Sequence, residues 1–146
     1  MSTTSPFSPP NSDRYSTYDD VEFVLEPSVV DVLTSFKGRI TRGQYWLKGV
    51  LPIIGIAFAA GIVSAIAGEI AEGLGGLVML AAYVPLIWFW LATRVKRWHD
   101  RGKSGWMVLI AFIPLVGPLW TFIEVGCMPG TPGRNQFGPD PRGGSW

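Results

Sequence analysis

The sequence predicts an all-α membrane protein with about three transmembrane helices, preceded by a short amphipathic helix at the membrane surface. Three long apolar stretches carry this prediction, and the expected spans cover about residues 45–68, 74–93 and 106–126. The second stretch contains no charged residue and the third contains only Glu124, so each approaches the roughly 20 residues that cross a bilayer core. Residues 94–106, between these two stretches, carry five Lys and Arg residues, which is typical of a cytoplasmic loop.

Composition and charge exclude several other classes of protein. The chain is 48% hydrophobic and has a mean hydropathy of +0.28, although both of its ends are polar. The net charge is only +1, and the Lys and Arg residues flank the apolar stretches, so we expect no nucleic-acid partner. Cys127 is the only cysteine, which excludes an intramolecular disulfide and a multi-cysteine metal site. The sequence indicates no cofactor.

Residues 1–27 are predicted to form a disordered cytoplasmic tail. This segment is rich in Ser, Thr and Pro, and it lacks the basic start and apolar core of a cleavable signal peptide. A segment of this composition buries too little apolar surface to offset the entropy lost on ordering.

A helical membrane domain is expected over residues 28–128, and it begins with the amphipathic surface helix. Ser28 can cap the first turn of this helix. The apolar residues recur at spacings that line one side of a helix, so this side is expected to face the membrane. They are Val29, Val30, Val32, Leu33 and Phe36.

The first membrane span is predicted to start at Thr41. Thr41 and Gln44 have the S/T-x-x-E/Q spacing of a capping box, in which each residue satisfies a backbone N–H of the other. Tyr45 and Trp46 follow, and their rings are expected at headgroup depth, where the polar atom stays hydrated.

The placement of positive charge predicts a cytoplasmic N-terminus. The connection after the first span, around Glu69 and Glu72, carries no positive residue. Two crossings return the chain to its starting side at the basic loop 94–106, so one topology satisfies the positive-inside rule at both basic segments. The cations that precede the first span are Lys37, Arg39, Arg42 and Lys48.

The third apolar stretch is interrupted by Pro114, Gly117 and Pro118, and proline removes helical hydrogen bonds. The stretch is therefore either a kinked span or a re-entrant segment that leaves the membrane on the side where it entered. Its length favours the kinked span. Three crossings would separate the turn-rich C-terminal tail, residues 129–146, from His99 by the bilayer, whereas a re-entrant segment would bring the two together.

Three ordered motifs, separated by apolar spans, resemble one known family. They are F-x-G-R-x-x-R-x-x-Y-W from Phe36 to Trp46, R-x-x-R-W-H-D-x-G-x-S-G-W from Arg94 to Trp106, and P-G-T-x-G-x-N-x-F-G-P-D-P from Pro129 to Pro141. Over residues 30–141 the chain resembles the domain-of-unknown-function 805 family of bacterial inner-membrane proteins. It departs from the usual pattern at Gly43, Gln44, Trp98, Arg134 and Gln136. The resemblance implies a multi-pass protein of the bacterial inner membrane, but it implies no reaction or substrate.

The leading functional hypothesis is a noncatalytic structural or interaction module. Its basic cytoplasmic face is expected to contact anionic lipid headgroups or an acidic partner segment. The residues expected on this face are Arg39, Arg42, Arg94, Arg97 and Arg101.

Two alternatives remain open. A membrane enzyme or small-molecule binder would use a polar site formed by His99, Asp100, Asn135 and Asp140, in which His99 is the only histidine and can titrate near neutral pH. One histidine without a cysteine or carboxylate cluster makes no metal site. An oligomeric channel or transporter is the other alternative, although the spans carry no deep ionisable residue. Small residues in the first span permit close packing with a second copy or with another membrane protein.

Overall fold

The computed structural model describes residues 27–142, and within this range the chain is helical, without a β-strand. We label the described helices α1 to α4, of which α4 is π-helical over Phe122–Cys127, and we name the 3₁₀ helix separately. They are α1 (Val29–Thr34), α2 (Arg42–Ile70), α3 (Leu74–Asp100), the 3₁₀ helix (Gly105–Phe112) and α4 (Val116–Cys127). The predicted N-terminal tail lies outside the described residues, except for Pro27.

Helix α1 is the amphipathic helix that the sequence predicts, and it ends at Thr34, two residues before Phe36. Ser28 caps it, because the Ser28 hydroxyl accepts a hydrogen bond from the backbone N–H of Asp31 at 3.1 Å. Helix α1 lies against α3, where the Trp88 indole N–H donates to the carbonyl of Thr34 at 3.1 Å. Of its apolar side chains, Val32 and Leu33 are buried, and Val29 and Val30 are exposed.

Helix α2 starts with the predicted capping box. The Thr41 hydroxyl accepts from the backbone N–H of Gln44 at 3.2 Å, and the Gln44 side chain accepts from the backbone N–H of Thr41 at 2.9 Å. One π-helical segment follows, Tyr45–Val50, and the rest of α2 is α-helical. The π-helical segment precedes Pro52, which has no N–H to donate to the preceding turn.

Helices α2 and α3 form an antiparallel pair, and both are long and apolar enough to cross a membrane. The Ser64 hydroxyl donates to the carbonyl of Gly75 at 2.7 Å and ties the two helices together near their shared turn. Near the other end of the pair Gly49 lies against Thr93, so these two residues are at the same level along the two helices. Few side chains in the apolar stretch of either helix are buried within the molecule, as expected of helices that face lipid.

The predicted third span is not a single helix, and the structure does not confirm a third crossing. The 3₁₀ helix ends before Pro114, the chain turns at Leu115 with φ +64°, and α4 runs back against the 3₁₀ helix. Gly117 permits the close approach, because a Cβ atom there would collide with the carbonyl oxygen of Ile110. The start and the end of this hairpin meet at the Lys103–Glu124 ion pair.

The largest buried apolar cluster lies at the end of the molecule where α2 begins and α3 ends. Each of the four helices and the 3₁₀ helix contributes a residue to this cluster, and the other ends of α2 and α3 extend away from it. The cluster consists of Val32, Ile40, Tyr45, Trp98, Val108 and Val125. We call this end of the molecule the basic end, because the Lys and Arg residues of the described chain lie there.

Candidate functional site

The centre of the basic end is the carboxylate of Asp100, which is bound by two arginines. Arg39 donates from Nε and Nη2 to Asp100 Oδ1 at 3.1 and 3.0 Å, and Arg97 donates from Nη1 to Asp100 Oδ2. The exposed fractions of the Arg39, Arg97 and Asp100 side chains are 1%, 0% and 2%. Arg97 and Asp100 share one side of α3 at i, i+3 spacing, and Arg39 arrives from the loop before α2. The buried triad therefore carries one excess positive charge.

Backbone carbonyls from the end of α4 and from the C-terminal tail accept hydrogen bonds from the remaining guanidinium N–H groups. Arg39 donates to the carbonyls of Gly133 and Thr131, each at 2.6 Å. Arg97 donates to the carbonyl of Val125 at 2.7 Å and to that of Met128. A guanidinium has five fixed N–H donors, so it can bind a carboxylate and several carbonyls at once. Arg39 thereby fastens the tail to the end of α3, and Arg97 fastens the end of α4 to it.

The tail also contacts α3 directly. The backbone N–H of Thr131 donates to the carbonyl of Asp100 at 2.8 Å, and the Asn135 side chain donates to the carbonyl of His99 at 2.8 Å. The ring of Phe137 stacks on the ring of His99, with centroids 3.9 Å apart and an 8° angle between the planes. Gly130 lies so close to the Asp100 carboxylate that any Cβ atom would collide with it. The described part of the predicted tail, residues 129–142, is thus a folded cap on the basic end.

Asp140 stabilises the turns of the tail. Its Oδ2 atom accepts from the backbone N–H of Gly133 at 3.0 Å, and its Oδ1 atom pairs with Arg142 Nε at 3.2 Å. Asp140 therefore orders the segment whose carbonyls receive Arg39, and it does not contribute to a shared pocket with His99.

A second ion-pair cluster surrounds Glu124, close to the end of α4. Arg101 donates from Nε and Nη2 to Glu124 Oε1 at 3.2 and 3.0 Å, and Lys103 donates to the same oxygen. Burial by itself raises the pKa of Glu124, but the hydrogen bonds from Lys103 and Arg101 outweigh burial and hold that pKa below its ordinary value. Sequence reasoning missed this role, although Glu124 is the only charge in the third apolar stretch.

The five arginines expected on an exposed basic face have different environments. Arg39 and Arg97 are buried and both bind Asp100, so they are not exposed on such a face. Arg94 is half-buried with its guanidinium 4.3 Å from the centre of the Trp90 ring. Arg101 pairs with Glu124, and Arg42 is exposed and donates to the carbonyl of Cys127 at 2.9 Å.

The four residues of the expected polar site are brought to the same end of the molecule, but hydrogen bonds within the fold engage most of their polar atoms. A shallow cavity of about 380 Å³ opens beside His99. Its lining is largely apolar and aromatic, and it does not include Asp100, Asn135 or Asp140. It consists of Val95, His99, Ser104, Gly105, Trp106, Val108 and Phe137. Among residues 27–142 no group of three or more His, Cys, Asp or Glu residues is placed to hold a metal ion.

Comparison with known proteins identifies the family. Inner membrane protein YhaH of Escherichia coli (strain K12) is 35% identical over 108 residues, which cover 73% of this chain and 87% of that protein. Inner membrane protein YhaI of the same strain is 33% identical over 119 residues, which cover 81% of this chain and 95% of that protein. No solved structure matches. The family model described as Protein of unknown function (DUF805) matches residues 33–139, and the chain belongs to this family.

Proposed function

We propose that the protein is a noncatalytic module of the bacterial inner membrane whose basic end lies in the cytoplasm and contacts anionic lipid headgroups. One observation carries the proposal. Within residues 27–142, the basic end holds eleven Lys and Arg residues against four Asp and Glu residues, whereas the opposite end holds only Glu69 and Glu72. Positive charge is retained on the cytoplasmic side of a membrane protein, so this asymmetry supports one orientation. The names of the relatives YhaH and YhaI support the location.

The proposed topology has two crossings, α2 and α3, and a re-entrant hairpin formed by the 3₁₀ helix and α4. The ion pair of Lys103 with Glu124 supports it, because Lys103 precedes the hairpin in the sequence and Glu124 lies near the end of α4. The stacking of Phe137 on His99 supports it independently, since the two rings must then lie on the same side of the membrane. Backbone hydrogen bonds within the hairpin support it as well, from the Ile113 N–H to the Ile110 carbonyl at 3.0 Å and from the Gly117 N–H to the Ile113 carbonyl at 2.9 Å, because irregular backbone at membrane depth needs its polar groups paired.

Headgroup contact is assigned to the cations that remain exposed rather than to the buried pair Arg39 and Arg97. Lys37, Arg42 and Arg134 are exposed at the basic end. A cation close to an anionic leaflet contributes on the order of 1 kcal/mol, so the three together contribute up to about 3 kcal/mol. Such contacts favour anionic over zwitterionic lipid without requiring a dedicated pocket.

Lipid retention tests the proposed contact. Replacing Lys37, Arg42 and Arg134 together with Gln is expected to lower the ratio of anionic to zwitterionic phospholipid that remains bound after purification in detergent. The matched control exchanges the same positions while keeping their charge, as Lys37→Arg, Arg42→Lys and Arg134→Lys, and it is expected to retain the original ratio. An unchanged ratio in the Gln variant would refute the proposed headgroup contact.

Thiol labelling tests the topology, because Cys127 is exposed and lies at the basic end. A membrane-impermeant maleimide added to intact spheroplasts is expected to leave Cys127 unlabelled until the membrane is permeabilised. The control carries Cys127→Ser and Glu69→Cys, which moves the thiol to the opposite end, and it should react without permeabilisation. Labelling of Cys127 in intact spheroplasts would overturn the re-entrant topology and would favour three crossings.

The cavity beside His99 keeps a second candidate function open, that of a small-molecule binder. His99 Nδ1 lies 3.3 Å from the carbonyl of Gly38, which leaves Nε2 as the ring nitrogen directed toward Gly105 in the cavity wall. Aromatic walls with one polar group are typical of ligand sites. If this function is correct, His99→Gln abolishes binding or activity while the melting temperature stays within a few degrees of the wild type.

A further inference from the structure

We propose that the protein acts as a wedge in the bilayer and concentrates in curved membrane where the leaflet at its basic end is convex. This inference rests on the re-entrant hairpin of the proposed function. It concerns a property that neither lipid retention nor thiol labelling measures, namely the preference of the folded protein for membrane of one curvature.

The lengths of the helices supply the first step. Helix α2 has 29 residues and α3 has 27, so at 1.5 Å per residue they extend about 44 and 40 Å and exceed a hydrocarbon core of about 30 Å. The 3₁₀ helix has eight residues and extends about 16 Å at 2.0 Å per residue. The twelve residues of α4, Val116–Cys127, extend about 18 Å. The hairpin therefore reaches about half the depth that α2 and α3 cross.

The direction of the hairpin supplies the second step. Val108 on the 3₁₀ helix is buried in the cluster that contains Trp98, and Trp90 and Leu91 of α3 pack against the same cluster. Gly105 lies against Val95. The 3₁₀ helix therefore returns alongside α3 from the basic end toward the middle of the molecule, and the tip of the hairpin at Leu115 lies away from the basic end.

The surface of the hairpin supplies the third step. No charged residue occurs from Trp106 to Ile123, and the exposed fractions of Phe112 and Leu115 are 71% and 90%. Such a surface is stable in lipid and unstable in water. Other large exposed apolar side chains of the hairpin are Trp106, Leu109, Leu119 and Trp120.

The protein therefore has a larger cross-section in one leaflet than in the other. Four helical segments occupy the leaflet at the basic end, and only α2 and α3 continue into the other leaflet. A helix about 10 Å across occupies about 80 Å² in projection, so the hairpin adds about 160 Å² to one leaflet alone. Helix α1 widens the same side at the surface. Bending that makes this leaflet convex expands it relative to the other leaflet and relieves the mismatch.

The test uses the full chain in giant vesicles of mixed zwitterionic and anionic phospholipid, from which narrow membrane tubes are pulled. Cys127 reports orientation: an impermeant maleimide dye first labels the molecules whose basic end faces outward, and a permeant maleimide of a second colour then labels the inward-facing molecules. Outward-facing protein is expected to reach at least double its density in the parent vesicle. Inward-facing protein is expected to fall below its parent density in the same tubes.

The two colours form a matched control, because both populations are the same folded protein in the same tube. Equal tube-to-vesicle ratios for the two colours would overturn the wedge. A parallel measurement places a dye at Leu115→Cys in a Cys127→Ser background and determines its depth with quenchers attached to lipid. A dye near the bilayer centre together with equal ratios refutes the wedge and leaves the hairpin intact. A dye at the surface opposite the basic end refutes the proposed topology itself.

Discussion

Asp100→Asn is the substitution that most directly tests how the basic end is held together. It removes the only carboxylate that Arg39 and Arg97 share and leaves two buried cations with carbonyl partners alone. Removing one partner of a buried ion pair typically costs about 3–5 kcal/mol, and the 0–2% exposure of all three side chains removes the solvent screening that would reduce this value. The expected result is a loss of about 3–5 kcal/mol in the free energy of unfolding.

Titration of the detergent-solubilised protein with a denaturing detergent, followed by helical circular dichroism, measures this loss. Glu69→Gln provides the matched control, because it converts an exposed carboxylate at the opposite end to an amide and is expected to change stability by less than about 0.5 kcal/mol. A second variant, Arg39→Met combined with Asp100→Asn, removes one stranded cation and should be less destabilised than the sum of the two single variants by about 0.5–3 kcal/mol. A loss below about 1 kcal/mol for Asp100→Asn, well short of the range for a broken buried pair, would refute the triad as the structural centre.

Three further substitutions test other contacts. Gly130→Ala is expected to lower the free energy of unfolding by about 1–3 kcal/mol, because the added Cβ atom would collide with the Asp100 carboxylate. The control Gly55→Ala places its Cβ atom in open space and should be neutral or stabilising. Equal effects of the two substitutions in the same titration would contradict the close contact at Gly130. Leu115→Gly should raise the free energy of unfolding by about 1 kcal/mol, since glycine adopts φ +64° without strain. Leu115→Ala keeps the strained backbone and should not stabilise the protein. A loss of stability in the Gly variant would count against the strained turn. Because the pKa of Glu124 is lower in the folded than in the unfolded protein, its ion pairs contribute stability above the unfolded pKa of about 4.3, and this contribution is lost as the pH falls through the folded pKa. Melting temperatures measured from neutral to acidic pH should therefore fall less steeply for Glu124→Gln than for the wild type, and parallel curves would exclude the ion pair as a source of acid sensitivity.

Local features of the fold could be predicted from the sequence because their causes are local. The capping box of Thr41 and Gln44 depends on a three-residue spacing, and the structure contains both of its hydrogen bonds. The two long helices follow from uninterrupted apolar runs of sufficient length. Ser28 caps α1 because a Ser hydroxyl just before a helix accepts a hydrogen bond from a backbone N–H of the first turn.

The hairpin could not be predicted in the same way. Hydropathy measures the length of an apolar stretch, and residues 106–126 have the length of one crossing whether the chain crosses or returns. The return depends on a positive φ at Leu115 and on the close approach of Gly117 to Ile110, which are tertiary features. Pro114 and Pro118 indicated an interruption, and the sequence offered a re-entrant segment only as the alternative.

The roles of the arginines were also beyond local reasoning. Arg39 and Asp100 are 61 residues apart in sequence, and Arg39 and the Gly133 carbonyl are 94 apart. Nothing in the spacing of the basic residues distinguishes Arg97, which is buried, from Arg42, which is exposed. Carbonyls distant in sequence replace the water around these cations, those of the tail at Arg39 and those of Val125 and Met128 at Arg97.

The fastening of the tail to Arg39 has a consequence for biosynthesis. Proteins are made from the N-terminus onward, so Arg39, Arg97 and Asp100 exist before the carbonyls of Thr131 and Gly133 that Arg39 binds. Helices α2 and α3 can therefore enter the membrane while their charged ends are still hydrated. Desolvation of the three charges follows only when the tail arrives, and the most polar part of the interior is the last part of the protein to form.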